Sequence, residues 1–141
     1  MALLSIFLSL FIINPSSNEL ITIGYDSFDK KAYYATFASN DINTVNAELK
    51  ILKSNPSLLA YEGALLMKKA DLVGNPKDKL SFMKEGKNKL ETTISKNPSN
   101  IEYRFLRYMI QDNAPSFFGY NSNLEDDRKK IISKSTDFDH V

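Results

Sequence analysis

A chain of 141 residues, 43% of them hydrophobic, holds one core and is too short for two comfortable domains. Its 18 Lys and Arg against 17 Asp and Glu leave a net charge of +1, too little for a long-range field. No basic helix or aromatic ribonucleoprotein signature accompanies the lysines, so nucleic acid is not an expected partner, and the absence of Cys excludes disulfides, thiolate metal sites and thiol nucleophiles.

In chain order, Met1 to Ile13 contain no charged side chain. A membrane-spanning helix needs about twenty apolar residues. The run therefore reads as the apolar part of a secretory signal, closed by Asn14-Pro15 and the small Ser16 and Ser17. The expectation is a signal over residues 1-17, a mature protein exported to a periplasmic or extracellular compartment, and no integral membrane span once the signal is removed. No Lys or Arg precedes the run, which leaves a buried first helix in a cytoplasmic protein as the alternative.

Helix starts are marked next. Ser16 with Glu19, Ser99 with Glu102 and Ser122 with Glu125 each have capping-box spacing, in which the Ser oxygen accepts a helical N–H and the Glu returns to the Ser N–H. The first predicted helix, roughly Asn18 to Ala38, turns Leu20, Phe28, Ala32 and Ala35 inward. The second, Asp41 to Ser54, carries Ile42, Val45, Leu49 and Leu52 at steps of three and four, a narrow stripe with a polar back. Leu58 to Val73 is apolar over a wide arc, which predicts a third helix in the middle of the stack, contacted on two sides. Asn75-Pro76 supplies an amide cap and a Pro at the first helical position, with Asp78 at the positive end of the dipole. The fourth helix then runs from Lys77 to Lys96. Its interior Gly86 costs about 1 kcal/mol against Ala, which predicts close approach of a neighbouring backbone.

The fifth helix, Ile101 to Gln111, places Ile101, Phe105, Tyr108 and Met109 on one face, widened by Leu106 and Ile110. Asn113-Ala114-Pro115 ends it and an aromatic loop, Ser116 to Asn121, follows. The sixth, Asn123 to Lys134, offers Leu124, Ile131 and Ile132 as apolar contacts, and residues 135-141 form a frayed tail. Only Leu20-Ile21-Thr22-Ile23 is ambiguous between helix and strand. The expected fold is all-α: about six helices in stacked antiparallel hairpins, one domain over 18-134.

The phrase Asn-Pro-Ser occurs twice between helical runs, at Asn55-Pro56-Ser57 and Asn97-Pro98-Ser99. Counting back from Pro98 places small Gly86, bulky Leu90 and small Thr93 at fixed steps, whereas from Pro56 the same steps meet Thr44, Glu48 and Ile51. With these residues the chain resembles a degenerate tetratricopeptide repeat array, with a period longer than the usual value of about 34 residues. The stretch Ile101 to Arg107, continued by Asn113 to Tyr120 and Glu125-Asp126-Asp127, also resembles an uncharacterised family of small exported bacterial helical proteins. That second resemblance implies export and a helical fold, and supplies no catalytic residue.

No constellation answers the demands of a reaction. The one histidine, His140, sits in the tail. The glycines form no phosphate loop. Asn121, Asn123 and Glu125 have calcium-loop spacing, but Asp126 and Ile132 stand where a Gly and a bidentate Glu are required. No catalytic residue, metal ligand or cofactor is therefore expected. The binding candidates are Arg104 and Arg107, which share a helix face and suit a carboxylate or phosphate, and the loop aromatics Phe117, Phe118 and Tyr120. The arginines have an alternative, internal pairing with Glu102, Asp126 or Asp127, and the aromatics can instead fold back onto the core. The functional expectation is a non-catalytic module for an unknown protein or peptide partner. The alternatives are a small-ligand-binding protein or enzyme using Arg104, Arg107 and Tyr103, and a self-associating structural subunit that forms homo-oligomers.

Overall fold

The computed structural model describes residues 28–114 and 118–135. Six α-helices follow one another: α1 (Lys30–Ala38), α2 (Ile42–Lys53), α3 (Leu59–Leu72), α4 (Pro76–Lys96), α5 (Ile101–Asn113) and α6 (Leu124–Ser135), with a 3-10 turn at Pro56–Leu58. No strand occurs among the described residues, so the fold is all-α. None of these helices is long and apolar enough to cross a membrane.

The strongest local signals set the helix starts. Asp41 caps α2, accepting from the N–H groups of Asn43 and Thr44 at 3.1 Å each. Asn75 caps α4 through Lys77 and Asp78 at 2.9 and 3.4 Å. Elsewhere the expectation needs correction. Within the described residues α1 begins at Lys30, not upstream, because Asp29 takes the cap position and accepts from Ala32 N–H at 3.1 Å. Ala32 and Ala35 are exposed and Tyr33 and Thr36 point inward, since an aromatic ring removes far more apolar area from water than a methyl group. The cap of α5 is Asn100 rather than Ser99, with Tyr103 N–H donating to Asn100 Oδ1 at 3.1 Å. Ser122 donates its hydroxyl to Asn123, and Glu125 lies near Arg128 and Lys129, so the box predicted at α6 does not form. The Ser16–Glu19 box, the 1-17 signal and the 136-141 part of the tail lie outside the described residues.

The two Asn-Pro-Ser phrases do different work. Asn55 opens the 3-10 turn, its Oδ1 accepting from Ser57 N–H at 3.0 Å. Asn97 instead closes α4, donating its backbone N–H to Thr93 and Ile94 and its amide to Thr93 at 3.1 Å.

α3 occupies the centre, in contact with α2, α4 and α5, and buries an unbroken run from Ala60 to Met67. It runs antiparallel to α4, because Glu62 pairs with Lys89 at 2.6 Å while Lys69, further along α3, lies over the Phe82 ring, earlier on α4. The two helices meet backbone to backbone at Gly63 and Gly86, which fulfils the expectation for Gly86. α1 runs parallel to α3: Tyr33 donates to the Tyr61 carbonyl at 3.0 Å, and Lys68 to Asn40 at 3.1 Å.

An aromatic seam closes the end of the bundle where α1, α3 and α5 begin. Tyr33, Tyr61 and Tyr103 meet edge to face, with centroids 5.1 and 6.2 Å apart. Glu102 anchors it, accepting from Lys30 and Tyr34. Burial works to raise the Glu102 pKa, but donation from Lys30, Tyr61 and Tyr34 holds it below the usual carboxylate range. Burial raises the pKa of Tyr33, Tyr61 and Tyr120 well above 10.0, and nearby anionic groups reinforce it. A raised folded-state value contributes stability that is complete below the unfolded value and is lost as pH rises past it. The share of the tyrosinate absorbance that belongs to Tyr33, Tyr34, Tyr61 and Tyr120 is therefore expected to appear late in an alkaline titration, above about pH 10, and together with loss of helical circular dichroism. Smooth ionisation of every tyrosine near the ordinary value, with helicity intact, would contradict the buried seam.

Candidate functional site

The arginines selected from the sequence face inward. Arg104 is 9% exposed and Arg107 4%, and both converge on Asp127 of α6, which is 0% exposed. Arg107 donates Nε to Asp127 Oδ2 at 2.6 Å and Nη2 to Oδ1 at 2.8 Å, a bidentate grip. Arg104 adds Nη1 to the same Oδ1 at 2.9 Å, reaches Asp126 at 3.3 Å, and donates Nε to the Pro98 carbonyl at 2.8 Å. Arg107 also donates Nη1 to Glu91 of α4 at 2.8 Å, and the Tyr120 hydroxyl donates to the other Glu91 oxygen.

This cluster has the chemistry of a fastening. Desolvation alone would lower the Arg107 pKa, but hydrogen bonding to Asp127 and the charges of Glu91 and Asp127 raise it above its already high value. Both Asp127 oxygens accept from the two guanidinium groups. Tyr120 is 6% exposed, tied into the cluster, with Lys87 over its ring at 4.8 Å. Phe118 is 41% exposed, and Phe117 lies outside the described residues. Of the partners named from the sequence, Asp126 and Asp127 are engaged and Glu102 is not. Glu91 had no sequence signal, lying on a different helix from either arginine.

The apolar face predicted for α5 holds at Leu106, which is fully buried, while Ile101, Phe105, Tyr108, Met109 and Ile110 are half-buried. The other buried positions are Arg104, Arg107 and Gln111. In α6 the predicted contact Ile132 is 48% exposed, and the one buried residue is Asp127.

A second feature lies at the other end of the bundle, where α1, α3 and α5 finish. An open cleft of about 460 Å³ is lined by Phe37, Met67, Met83, Met109, Ile110 and Phe118. Three of the chain's four methionines meet there, one each from α3, α4 and α5. Fully buried Ala70 lines it too, and Lys68, Asp71 and Lys79 supply charge. An apolar concavity with a few polar groups at its rim suits a binding role.

No protein-family model, no curated protein and no solved structure matches this chain.

Proposed function

We propose that the protein is an exported, non-catalytic interaction module that holds a segment of a protein partner in the methionine-lined cleft. The observation that carries this reading is a contrast between the two ends of the molecule. The charged residues best suited to chemistry are engaged with one another around Asp127, while the apolar cleft between α3, α4 and α5 stands open. The tetratricopeptide-like reading belongs to the same proposal. It is supported by buried Gly86, Leu90 and Thr93 at the small, bulky and small positions before Pro98. The first copy lends it nothing, for Thr44 and Ile51 are exposed and Glu48 half-buried.

Affinity capture from the native cell envelope tests the module, with three baits compared: the unaltered protein, Met83→Lys and Arg128→Ala. A charge in the cleft is expected to reduce recovery of the specific partner at least about tenfold, while the exposed Arg128 is expected to be dispensable. Equal recovery with Met83→Lys would overturn the cleft as the binding face. Export has its own test in N-terminal sequencing. Protein recovered from the envelope is expected to begin near Asn18, and a cytosolic product retaining Met1 would contradict export.

A further inference from the structure

We infer that the segment taken by the cleft is an acidic amphipathic α-helix that inserts two long aliphatic side chains one turn apart. This rests on the proposed role of the cleft and specifies its guest. Every described element is helical, so no strand edge is on offer and recognition there runs through side chains. The lining favours flexible aliphatic anchors. All the described methionines meet in the cleft, and the unbranched thioether adapts its shape to irregular apolar partners. A volume of about 460 Å³ exceeds what one side chain needs, and two anchors at i and i+4 stand about 6 Å apart along a helix.

The surrounding surface extends this match. Leu80 is 57% exposed and lies three residues before Met83, on the same side of α4, so apolar surface continues from the cleft along that helix. Lys77 and Lys84 flank Leu80 at the same helical spacing, and Lys68 and Lys79 line the cleft itself. Asp71 and Asp78 offset part of this charge and leave the rim basic. Lys68 already donates to Asn40 at 3.1 Å, whereas Lys79 has no acceptor among the described residues. Carboxylates beside the aliphatic anchors would complete Lys79 and steer the helix to this rim.

Fluorescence anisotropy on the full chain tests the inference with three labelled peptides of about 16 residues, long enough to be held helical by a side-chain staple. One is built from Ala and Glu with two Leu four positions apart, the second has Lys for every Glu, and the third has Ala for both Leu. The Leu/Glu peptide is expected to bind saturably and at least about tenfold more tightly than either control. Met83→Lys, its fold checked by circular dichroism, is expected to weaken binding at least about tenfold, and Lys79→Glu to reverse the preference between the Glu and Lys peptides. Equal affinity for the Glu and Lys peptides, no saturable binding, or indifference to Met83→Lys would overturn the inference. If the peptides fail while envelope capture still returns a partner lost with Met83→Lys, the acidic helix is wrong and the interaction module stands. If capture also ignores Met83→Lys, both fall.

Discussion

Replacing Asp127 by Asn is expected to unfasten α6 and to cost about 3–5 kcal/mol, the penalty for leaving buried ionic partners uncompensated. Asp127 is 0% exposed and receives three donors from two arginines. Asparagine preserves its size but removes the charge and turns one acceptor into a donor facing guanidinium N–H groups. Little else holds α6: its apolar residues Leu124 and Ile131 are half-buried, Ile132 is exposed, and α5 is its main helical neighbour. Against a total stability on the order of 5–15 kcal/mol, such a loss is large. Urea denaturation gives the stability change, and limited trypsin digestion shows whether Arg128 and Lys129 become cleavable before the rest unfolds. A cycle with Arg107→Gln is expected to be strongly non-additive, because the double substitution removes a charge from each side of the pair. A change below about 1 kcal/mol for the single Asp127→Asn variant would mean the cluster holds nothing together.

The second large effect concerns two glycines. In an ordinary helix interior, Gly→Ala stabilises by about 1 kcal/mol. At Gly86 the added Cβ would lie 2.5 Å from the Gly63 carbonyl oxygen and 2.6 Å from Met67 Cγ, and at Gly63 it would lie 2.7 Å from the Gly86 oxygen and 2.8 Å from the Leu90 nitrogen. Backbone atoms of packed helices cannot step aside as a side chain can, so α3 and α4 must part along their length. Overpacking costs typically about 1–3 kcal/mol, occasionally more, and backbone contact at the central helix pair puts these variants at or above the upper figure. Gly74→Ala provides the control, since a Cβ there meets nothing within 4 Å, and its effect is expected to stay within about 0.5 kcal/mol. Thermal unfolding of the three variants decides the matter. Gly86→Ala matching or exceeding the unaltered protein would refute the close crossing.

What is legible in the sequence is what is local. The stripe Ile42, Val45, Leu49 and Leu52 and the cap Asn75 are written within single turns, and α2 and α4 form close to their predicted bounds. Gly86 is informative because an isolated Gly in a polar helix needs a reason. Its counterpart Gly63 sits in an apolar run where nothing distinguishes it, so the partner backbone stays hidden. At α5 two residues with cap chemistry, Ser99 and Asn100, stand side by side, and only the backbone path after Pro98 chooses between them. The buried face of α5 departs from the apolar periodicity because arginines ordinarily face water. Here they turn inward because Asp127, about twenty residues away in the chain, supplies the compensating charge. Long-range pairing of that kind has no periodicity to detect. The cleft is hidden for the same reason: Met67, Met83 and Met109 lie on three helices, and only their packing brings them together.

The claim that the protein binds through its cleft, with the arginine cluster as internal architecture, is tested most directly by photo-crosslinking in the native cell. A photoreactive amino acid is introduced at Met83 in the cleft or at exposed Arg128 on α6, one position at a time. A discrete crosslinked partner is expected from position 83 and none from position 128. A partner captured from position 128, with position 83 silent, would place the binding face on α6 and contradict that claim.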